Sequence, residues 1–419
     1  MRRRNKLDLF AGAAALLAAF TVGNRTASAG EVDAQDFTTV DRGRYLSILS
    51  DCASCHTVPQ NQPFAGGRPI ETPFGSIVAP NITPDMETGI GSWTDDQFDN
   101  AVRKGIGRDG ERLYPAMPYN AYTKMSRKDV LAIRAYLNTV TAVYNPVVAN
   151  TLPFPFNIRM AMTVWDALYF KQGQYVFDPH QSTEWNRGAF LVDGPAHCGA
   201  CHTPKTFLGG DKTSMYLQGG PLQGWSAPNI TNDARTGLGG WSVDEVAAYL
   251  KTGHNTITAA TGPMAEAVGL STSKMTDDDI NAIATYLKSL PGQGSAPAPI
   301  SGSAPEMTAG GAIYRDQCSA CHGLDGKGID RLFPAVASSS MARADDPTSV
   351  IRIVLRGARS VATEKEPTAP GMPSYGWQLN DSQVANVLTY IRNSWGNASP
   401  AVSLDEVARL RASLAQRSD

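Results

Sequence analysis

Three copies of one five-residue pattern, Cys-x-x-Cys-His, constrain this chain more than any other feature. They occupy Cys52–His56, Cys198–His202 and Cys318–His322. Two thiols on one turn can form thioethers with the vinyl groups of a haem, and the next imidazole then lies beneath the iron. The pattern predicts three covalently bound haems c, attached through Cys52, Cys55, Cys198, Cys201, Cys318 and Cys321, with His56, His202 and His322 as iron ligands.

Two other uses of Cys-x-x-Cys, a structural zinc site and a redox dithiol, fit the sequence less well. All six cysteines of the chain belong to the three motifs, so no second thiol pair is left for zinc. A redox dithiol does not require a histidine at the following position, and here it follows three times. The motifs therefore favour a three-haem c-type cytochrome.

The N-terminus indicates the compartment. Arg2, Arg3 and Arg4 precede an apolar run over residues 9–22, and the small residues Ala27 and Ala29 suit a cleavage site. We expect a signal peptide at residues 1–29, export by the general secretory route and a periplasmic protein.

No later stretch has the roughly 20 apolar residues of a membrane helix. A net charge of −2 with 18% charged residues gives no sign of a nucleic-acid partner.

The first two haem regions are copies of each other. Pro80–Thr83 recurs as Pro228–Thr231, and Thr88–Trp93 recurs as Thr236–Trp241, both 148 residues later. Their common offset sets the register of the repeat.

Each haem region is expected to close with the same helix. Ser126, Thr276 and Asn380 begin capping-box-like starts that are followed by apolar residues at helical spacing. A shorter helical candidate with a glycine and an aromatic residue precedes each motif: Gly43/Tyr45, Gly188/Phe190 and Gly311/Tyr314.

This pattern predicts an all-α fold of three tandem cytochrome c-like haem domains joined by linkers. We place the domains at residues 36–144, 185–290 and 306–397, with a charged helix at 398–419. The linker at 291–305, rich in Pro, Gly and Ser, should be extended and exposed.

The linker at 145–184 is different, because it is too apolar for a free linker. It contains Leu152–Phe156 and a second apolar stretch, Met160–Phe170. Either this segment packs as core between two haem domains, or it exposes a patch for a partner subunit or a membrane surface.

One methionine beside a proline follows each motif at a comparable distance. Met117, Met264 and Met372 lie 61, 62 and 50 residues after His56, His202 and His322. A neighbouring proline should hold each methionine in a non-helical loop, from which its sulfur can reach the iron. Most methionines are simply core residues, but we predict these three as the distal ligands.

Two other methionines that repeat between the first two regions, and three further histidines, are expected to have structural roles and not to ligate iron. Met125 and Met275 precede the closing helices, where Leu379 takes the same place in the third region, and leucine cannot ligate iron. We expect His180, His197 and His254 to be solvated or hydrogen-bonded at the surface.

Several motifs resemble the three-haem cytochrome c subunits of membrane-associated, quinone-reducing dehydrogenases of acetic acid bacteria and related proteobacteria. The resemblance covers nearly the whole exported chain and rests on Thr72–Gly75, Asn81–Pro84, Tyr114–Tyr119, Leu152–Phe156, Glu184–Gly188, Gly262–Ala267 and Arg392–Asn397.

The resemblance implies that Met117, Met264 and Met372 are the distal ligands, and it implies a role. Electrons would leave a catalytic subunit, which is a quinoprotein, flavoprotein or molybdoprotein, and reduce ubiquinone at the periplasmic face of the inner membrane. The third region, through Asp345–Ser349 and the surroundings of Trp395, is most similar to the alcohol dehydrogenase branch. Some members have a hydrophobic C-terminal anchor, whereas this chain ends in a charged helix with one apolar stripe.

Two other functions remain as alternatives. A catalytic haem enzyme such as a peroxidase needs an open iron and a distal acid–base group, and a methionine available to each haem argues against it. A free periplasmic electron shuttle would lack or bury the apolar segment at 145–184. The leading prediction is an electron-transfer subunit with no catalytic residue of its own.

Overall fold

A single helical plan is built three times along the chain. The computed structural model describes residues 33–58, 62–292, 294 and 296–417, so the predicted signal peptide lies outside the described residues. Unit 1 contains α1 (Phe37–Leu49), α2 (Cys52–His56), β1 (Pro69–Thr72), β2 (Gly75–Val78), α3 (Asp95–Lys104), α4 (Tyr119–Tyr122) and α5 (Arg127–Leu137).

The segment after unit 1 contributes α6 (Ala161–Tyr169). Unit 2 contains α7 (Thr183–Asp193), α8 (Gly199–His202), β3 (Gly220–Leu222), β4 (Trp225–Ala227), α9 (Val243–Thr252), α10 (Gly262–Leu270) and α11 (Asp277–Ser289), with single 3₁₀ turns at Thr213–Met215 and Thr272–Lys274.

Unit 3 follows the linker at 291–305, and all the described residues of that linker except the half-buried Ile300 and Ala304 are exposed. The unit contains α12 (Pro305–Gln317), α13 (Ser319–His322), α14 (Ser340–Arg343), α15 (Thr348–Arg356), β5 (Ala358–Arg359), β6 (Gly371–Met372) and α16 (Asp381–Ile391), and α17 (Leu404–Ala415) packs beside it.

The predicted all-α class is correct for the helical framework but omits one small hairpin in each unit. β1 pairs antiparallel with β2, β3 with β4, and β5 with β6. In unit 1 the register is Pro69 opposite Val78 and Thr72 opposite Gly75, whose φ of 118° suits glycine at the tight turn. Strands of two to four residues are too short to show the alternation of apolar and polar residues by which a strand is predicted from sequence.

The three predicted closing helices are confirmed at their N-termini. Ser126 and Asn380 form capping boxes with Asp129 and Gln383, and the Thr276 side chain accepts a hydrogen bond from the Asp279 backbone N–H. The caps fix where α5, α16 and α11 begin.

In each unit the first and last helices cross at a glycine. A Cβ atom on Gly43 would lie 1.8 Å from the Ala132 carbonyl oxygen, and one on Gly188 would lie 1.9 Å from the Ala282 carbonyl oxygen. In unit 3 this glycine is Gly310, and the adjacent Gly311, the one named in the helical candidate, faces the ring of Tyr390. Only a residue without a side chain lets the two backbones approach so closely.

Units 1 and 2 share a continuous apolar core, whereas unit 3 has a separate one. Leu49 and Ile133 of unit 1 belong to the same buried cluster as Leu191 and Ile283 of unit 2. The core of unit 3 includes Val384 and extends to Val407 on α17. Within the described residues no helix is long and apolar enough to cross a bilayer.

Candidate haem sites

The three Cys-x-x-Cys-His motifs form short helical turns directly after the first helix of each unit. Backbone bonds close the last two turns, with the N–H of His202 donating to Cys198 O at 2.9 Å and that of His322 to Cys318 O at 3.0 Å. The two thiols and the imidazole of each motif therefore come from one compact turn, as haem attachment requires.

Each motif histidine is oriented by the carbonyl of a proline. His56 Nδ1 lies 2.7 Å from Pro80 O, His202 Nδ1 lies 2.8 Å from Pro228 O, and His322 Nδ1 lies 2.9 Å from Pro334 O. A carbonyl only accepts, so Nδ1 carries the proton and Nε2 presents its lone pair. This is the tautomer that a haem iron binds through Nε2.

The three prolines were not identified as functional from the sequence, although a signal existed for two of them. Pro80 and Pro228 begin the repeated Pro-Asn-Ile-Thr segment. Asn81 Oδ1 accepts from the Thr83 N–H, and Asn229 Oδ1 accepts from the Thr231 N–H. These turns hold the proline carbonyl against the imidazole, which gives the repeated segment a physical role.

Burial keeps the motif histidines neutral. Desolvation lowers the pKa of His56, His202 and His322, although the proline carbonyls oppose that shift. A neutral imidazole is the form that ligates a metal.

The motif thiols lack the features of a redox dithiol. Burial raises the pKa of Cys52 and Cys198 to about 12 and that of Cys318 to about 11. Redox-active Cys-x-x-Cys pairs instead have thiol pKa values well below the ordinary one. The surroundings of these thiols fit covalent haem attachment better than thiol–disulfide exchange.

Met117 and Met372 lie on non-helical backbone, as predicted. The Met117 N–H donates to Tyr114 O at 3.2 Å, and Pro118 then starts the short helix α4. Met372 lies in β6 opposite Ala358 and borders a cavity of about 500 Å³. Both side chains are half-buried against the core of their unit.

For Met264 the prediction of a non-helical loop is wrong. Met264 is the third residue of α10, and Pro263 stands in the first turn. A proline there does not interrupt the helix, because the N–H that it lacks would have no intrahelical partner in any case. The Met264 side chain is half-buried against the shared core of units 1 and 2.

The two methionines expected to have a structural role, Met125 and Met275, lie directly before the closing helices, as predicted. Met125 and Met275 are fully buried beside the caps of α5 and α11, and Leu379 is buried at the same point before α16. An apolar contact at the helix start explains all three positions.

Of the three remaining histidines, His180 is exposed as expected and His197 is half-buried with its ring 5.6 Å from that of Tyr122. The surface prediction is wrong for His254, which is buried, with an Nε2 that has no hydrogen-bond partner among the described residues. His254 occupies the position of Ile106 in the repeat. Each forms an isolated antiparallel bridge at that position, His254 with Ala259 and Ile106 with Arg112, so the site is a structural one.

Arg68 connects the haem-attachment turn of unit 1 to the methionine helix of unit 2. Its guanidinium forms a two-point ion pair with Glu266, with Nη2 at 2.8 Å from Oε2, and also donates to Ser54 O. Ser54 lies between Cys52 and Cys55, and Glu266 lies two residues after Met264. The candidate sites of units 1 and 2 are therefore adjacent.

A second junction connects the methionine segments of units 2 and 3. Thr261, at the N-cap of α10, forms an antiparallel bridge with Ser360, which directly follows β5. Because β5 pairs with the strand that carries Met372, the two methionine segments belong to one backbone hydrogen-bond network. The Met264 helix is thus in contact with the candidate sites on both sides.

Comparison with known proteins agrees with this threefold plan. The cytochrome c family matches residues 40–141, 186–291 and 307–395. The chain is 40% identical to the gluconate 2-dehydrogenase cytochrome c subunit of Pantoea cypripedii over 94% of each chain. It is 39% identical to the fructose dehydrogenase cytochrome subunit of Gluconobacter japonicus, covering 89% of this chain and 83% of the relative.

A relative of a third kind is the cytochrome c subunit of the alcohol dehydrogenase (quinone) of Gluconacetobacter polyoxogenes, 39% identical over 94% of this chain and 88% of that one. The three matched domains imply haem c with its iron in each unit. The motif turns, the oriented imidazoles and these relatives lead to one conclusion: the chain belongs to the family of three-domain cytochrome c subunits of alcohol, gluconate and fructose dehydrogenases.

Proposed function

We propose that this chain carries electrons from a catalytic dehydrogenase subunit to ubiquinone at the periplasmic face of the inner membrane. The names of its relatives, which are cytochrome subunits of dehydrogenases, support a catalytic partner. The N-terminal sequence supports export, since residues 1–29 have the form of a signal peptide.

We further propose the ligands of each haem and the extent of each domain. His56 and Met117 would ligate iron in residues 36–144, His202 and Met264 in 185–290, and His322 and Met372 in 306–397, with thioethers to the cysteine pairs of the motifs. A haem with histidine and methionine ligands supplies one-electron transfer at a raised potential. The protein holds the imidazoles through the proline carbonyls and supplies a half-buried methionine in each unit.

The position of α10 carries the proposal. This helix bears Met264, is tied to the attachment turn of unit 1 through Arg68, and is bridged at Thr261 to the hairpin that bears Met372. Electrons could therefore pass between neighbouring units without any rearrangement of the chain. Contacts of the Met264 helix with the candidate site on either side are what a relay needs and what three independent carriers would not need.

We propose alcohol oxidation as the reaction of the partner. Support comes from Asp345–Ser349 and the region of Trp395, which resemble the alcohol dehydrogenase branch. Asp345 accepts from Arg235 Nη2 at 2.5 Å and Ser349 exchanges hydrogen bonds with Ser226, so this segment joins units 2 and 3. Flavin-dependent gluconate or fructose dehydrogenases and molybdenum aldehyde dehydrogenases are the other candidate partners. The chain is 39–40% identical to the cytochrome subunits of gluconate, fructose and alcohol dehydrogenases alike, so overall identity does not distinguish these three partners.

Substrate-driven haem reduction in solubilised native membranes tests the function. Ethanol, gluconate, fructose and an aldehyde are added separately, and the reduced haem spectrum and the reduction of a short-chain ubiquinone are followed. We expect ethanol to reduce the haems and then the quinone. Reduction by gluconate or fructose alone would replace the alcohol assignment, and a ligand-accessible high-spin haem would favour a catalytic haem enzyme.

A further inference from the structure

The segment between units 1 and 2 is partly core and partly exposed. The exposed large apolar side chains of residues 145–184 are Val148, Phe154, Ile158, Met160, Val164, Leu168, Val176 and Phe177. In contrast, Leu152 and Trp165 are buried. One face of residues 145–184 is therefore buried as core, and the other face is exposed.

The inner face of α6 is held by specific contacts. Trp165 Nε1 donates to Leu208 O of unit 2 at 3.0 Å. Asp166 accepts from Tyr119 Oη at 2.7 Å and pairs with Arg112 at 3.1 Å, both in unit 1. The helix is thus fixed across the boundary between two units, and its outer face has a defined orientation.

The outer face of α6 and its surroundings form an apolar surface. Met160, Val164 and Leu168 follow one another at four-residue spacing and are 80%, 64% and 61% exposed. Phe154 on the preceding turn is 78% exposed, and Phe207, next to the Leu208 that anchors Trp165, is 91% exposed. We call these five residues the linker patch. Its side chains present only methyl, thioether and phenyl groups, which are favourable at the boundary between lipid headgroups and acyl chains.

Two exposed lysines flank the linker patch, although Asp109 and Glu111 are also exposed in the loop before Arg112. Asp166 is the only acidic residue between Thr151 and Phe177, and it is buried and paired. In the neighbouring loop Asp211 pairs with Lys205. Lys171 and Lys212 are exposed, and no ion pair of theirs is found among the described residues. Apolar groups flanked by unpaired cations complement an anionic lipid surface.

We propose that the linker patch docks this protein on the surface of an anionic bilayer. Phe154, Met160, Val164, Leu168 and Phe207 would enter the boundary between headgroups and acyl chains, with Lys171 and Lys212 facing the lipid phosphates. This inference extends the proposed function by naming the surface through which the chain meets the membrane where ubiquinone dissolves.

The docked orientation would place unit 1 next to the lipid. Tyr114 Oη donates to Phe156 O at 3.1 Å, and the Arg159 guanidinium lies 4.8 Å from the centre of the Tyr114 ring. Tyr114 is three residues before Met117. The segment that bears the linker patch therefore lies directly against the methionine loop of unit 1.

Co-sedimentation of the three-haem protein with lipid vesicles tests the proposal. Vesicles of phosphatidylcholine alone are compared with vesicles that also contain phosphatidylglycerol. We expect binding to the anionic vesicles and a drop of about tenfold or more in the partition coefficient of the Met160→Glu/Val164→Glu variant. Phe37→Glu/Leu404→Glu, which adds the same two charges at exposed apolar residues of α1 and α17, should bind as the wild type does. Lys171→Glu/Lys212→Glu should remove the preference for anionic lipid.

Equal binding of the double glutamate variant and the wild type, or no binding of the wild type to either vesicle, would overturn the proposal. Loss of a co-purifying dehydrogenase subunit from the double variant in detergent, where no bilayer exists, would make the patch a protein interface instead and would also overturn it. Substrate-driven haem reduction in detergent checks the proposed function separately, because it needs no vesicle. If it fails in the wild type, the proposed function falls and the vesicle result still stands.

Discussion

The guanidinium carbon of Arg352, on α15 of unit 3, lies 4.6 Å from the centre of the Trp225 ring of unit 2. The same ring lies against Gly262, where a Cβ atom would come within 2.5 Å of it. Gly262 begins the helix that bears Met264. A buried cation of unit 3 thus supports the start of the methionine helix of unit 2.

Replacing Arg352 with methionine should loosen this support. A desolvated cation–π contact is worth about 2 kcal/mol, so Arg352→Met should lower stability by about that amount and reduce the methionine-ligated fraction of one ferric haem. Arg409→Met is the matched control, since Arg409 is exposed on α17, a helix that carries no candidate ligand. Urea unfolding and the methionine-to-iron charge-transfer band measure the two effects. An unchanged band with lowered stability would show that Arg352 joins the units without supporting Met264.

Single Met→Leu substitutions test the distal ligands. Met117→Leu, Met264→Leu and Met372→Leu should each remove about one third of that charge-transfer band and lower one of three reduction potentials, because a soft sulfur ligand raises the potential. Met125→Leu and Met275→Leu make the same change at buried positions before α5 and α11 and should leave the spectrum intact. Loss of the band in a control variant would transfer the ligand role to that methionine.

The helix crossings predict a steep cost for added volume. Gly43→Ala, Gly188→Ala and Gly310→Ala each place a Cβ atom within 2.1 Å of a carbonyl oxygen on the closing helix. Such overpacking should cost about 3 kcal/mol or prevent folding of the unit. Gly240→Ala, where a Cβ atom meets no atom within 4 Å, should change the unfolding midpoint little. Thermal unfolding followed by circular dichroism compares the four variants.

The interface of units 1 and 2 should respond to acid through Asp279. Burial alone would raise the pKa of Asp279, but hydrogen bonds from Arg187 at 2.7 Å and from Tyr45 of unit 1 at 2.7 Å lower it overall. The carboxylate therefore stabilises the fold above its ordinary pKa of about 4, and this contribution is lost as the pH falls through the lowered value.

Asp279→Asn should consequently cost about 2 kcal/mol at neutral pH, and the difference from the wild type should shrink below about pH 4. Asp278→Asn removes the same charge from the exposed neighbouring position and serves as the control. Urea titrations at several pH values measure the difference. A gap that stays constant down to pH 3 would contradict the role given to the charged form.

The haem motifs and the closing helices could be predicted from sequence because each is a local pattern. A Cys-x-x-Cys-His turn needs only five consecutive residues, and the caps at Ser126, Thr276 and Asn380 act within one turn of helix. A glycine and an aromatic residue marked the first helix of each unit, as at Gly43 and Gly188, but the close approach of the closing helix at these glycines was not predicted. In unit 3 the sequence pattern named Gly311, whereas packing against Asn386 places the crossing at Gly310.

Features that depend on distant residues could not be predicted. The carbonyl of Pro334 reaches His322 across 12 residues, whereas Pro80 and Pro228 reach their histidines across 24 and 26, so no common spacing marks the three acceptors. The ion pair of Arg68 with Glu266 spans 198 residues. The burial of His254 is different, because the 148-residue offset of the repeat aligns it with the apolar Ile106, a signal that the surface prediction missed.

Purification of this protein from its native membranes in mild detergent tests the central claim most directly. The proposal predicts a dehydrogenase subunit present in equal amount, identified by mass spectrometry, and three haems that become reduced when the substrate of that subunit is added. A protein that is isolated alone, with three intact haems that no dehydrogenase substrate reduces, would contradict it and favour a free periplasmic shuttle.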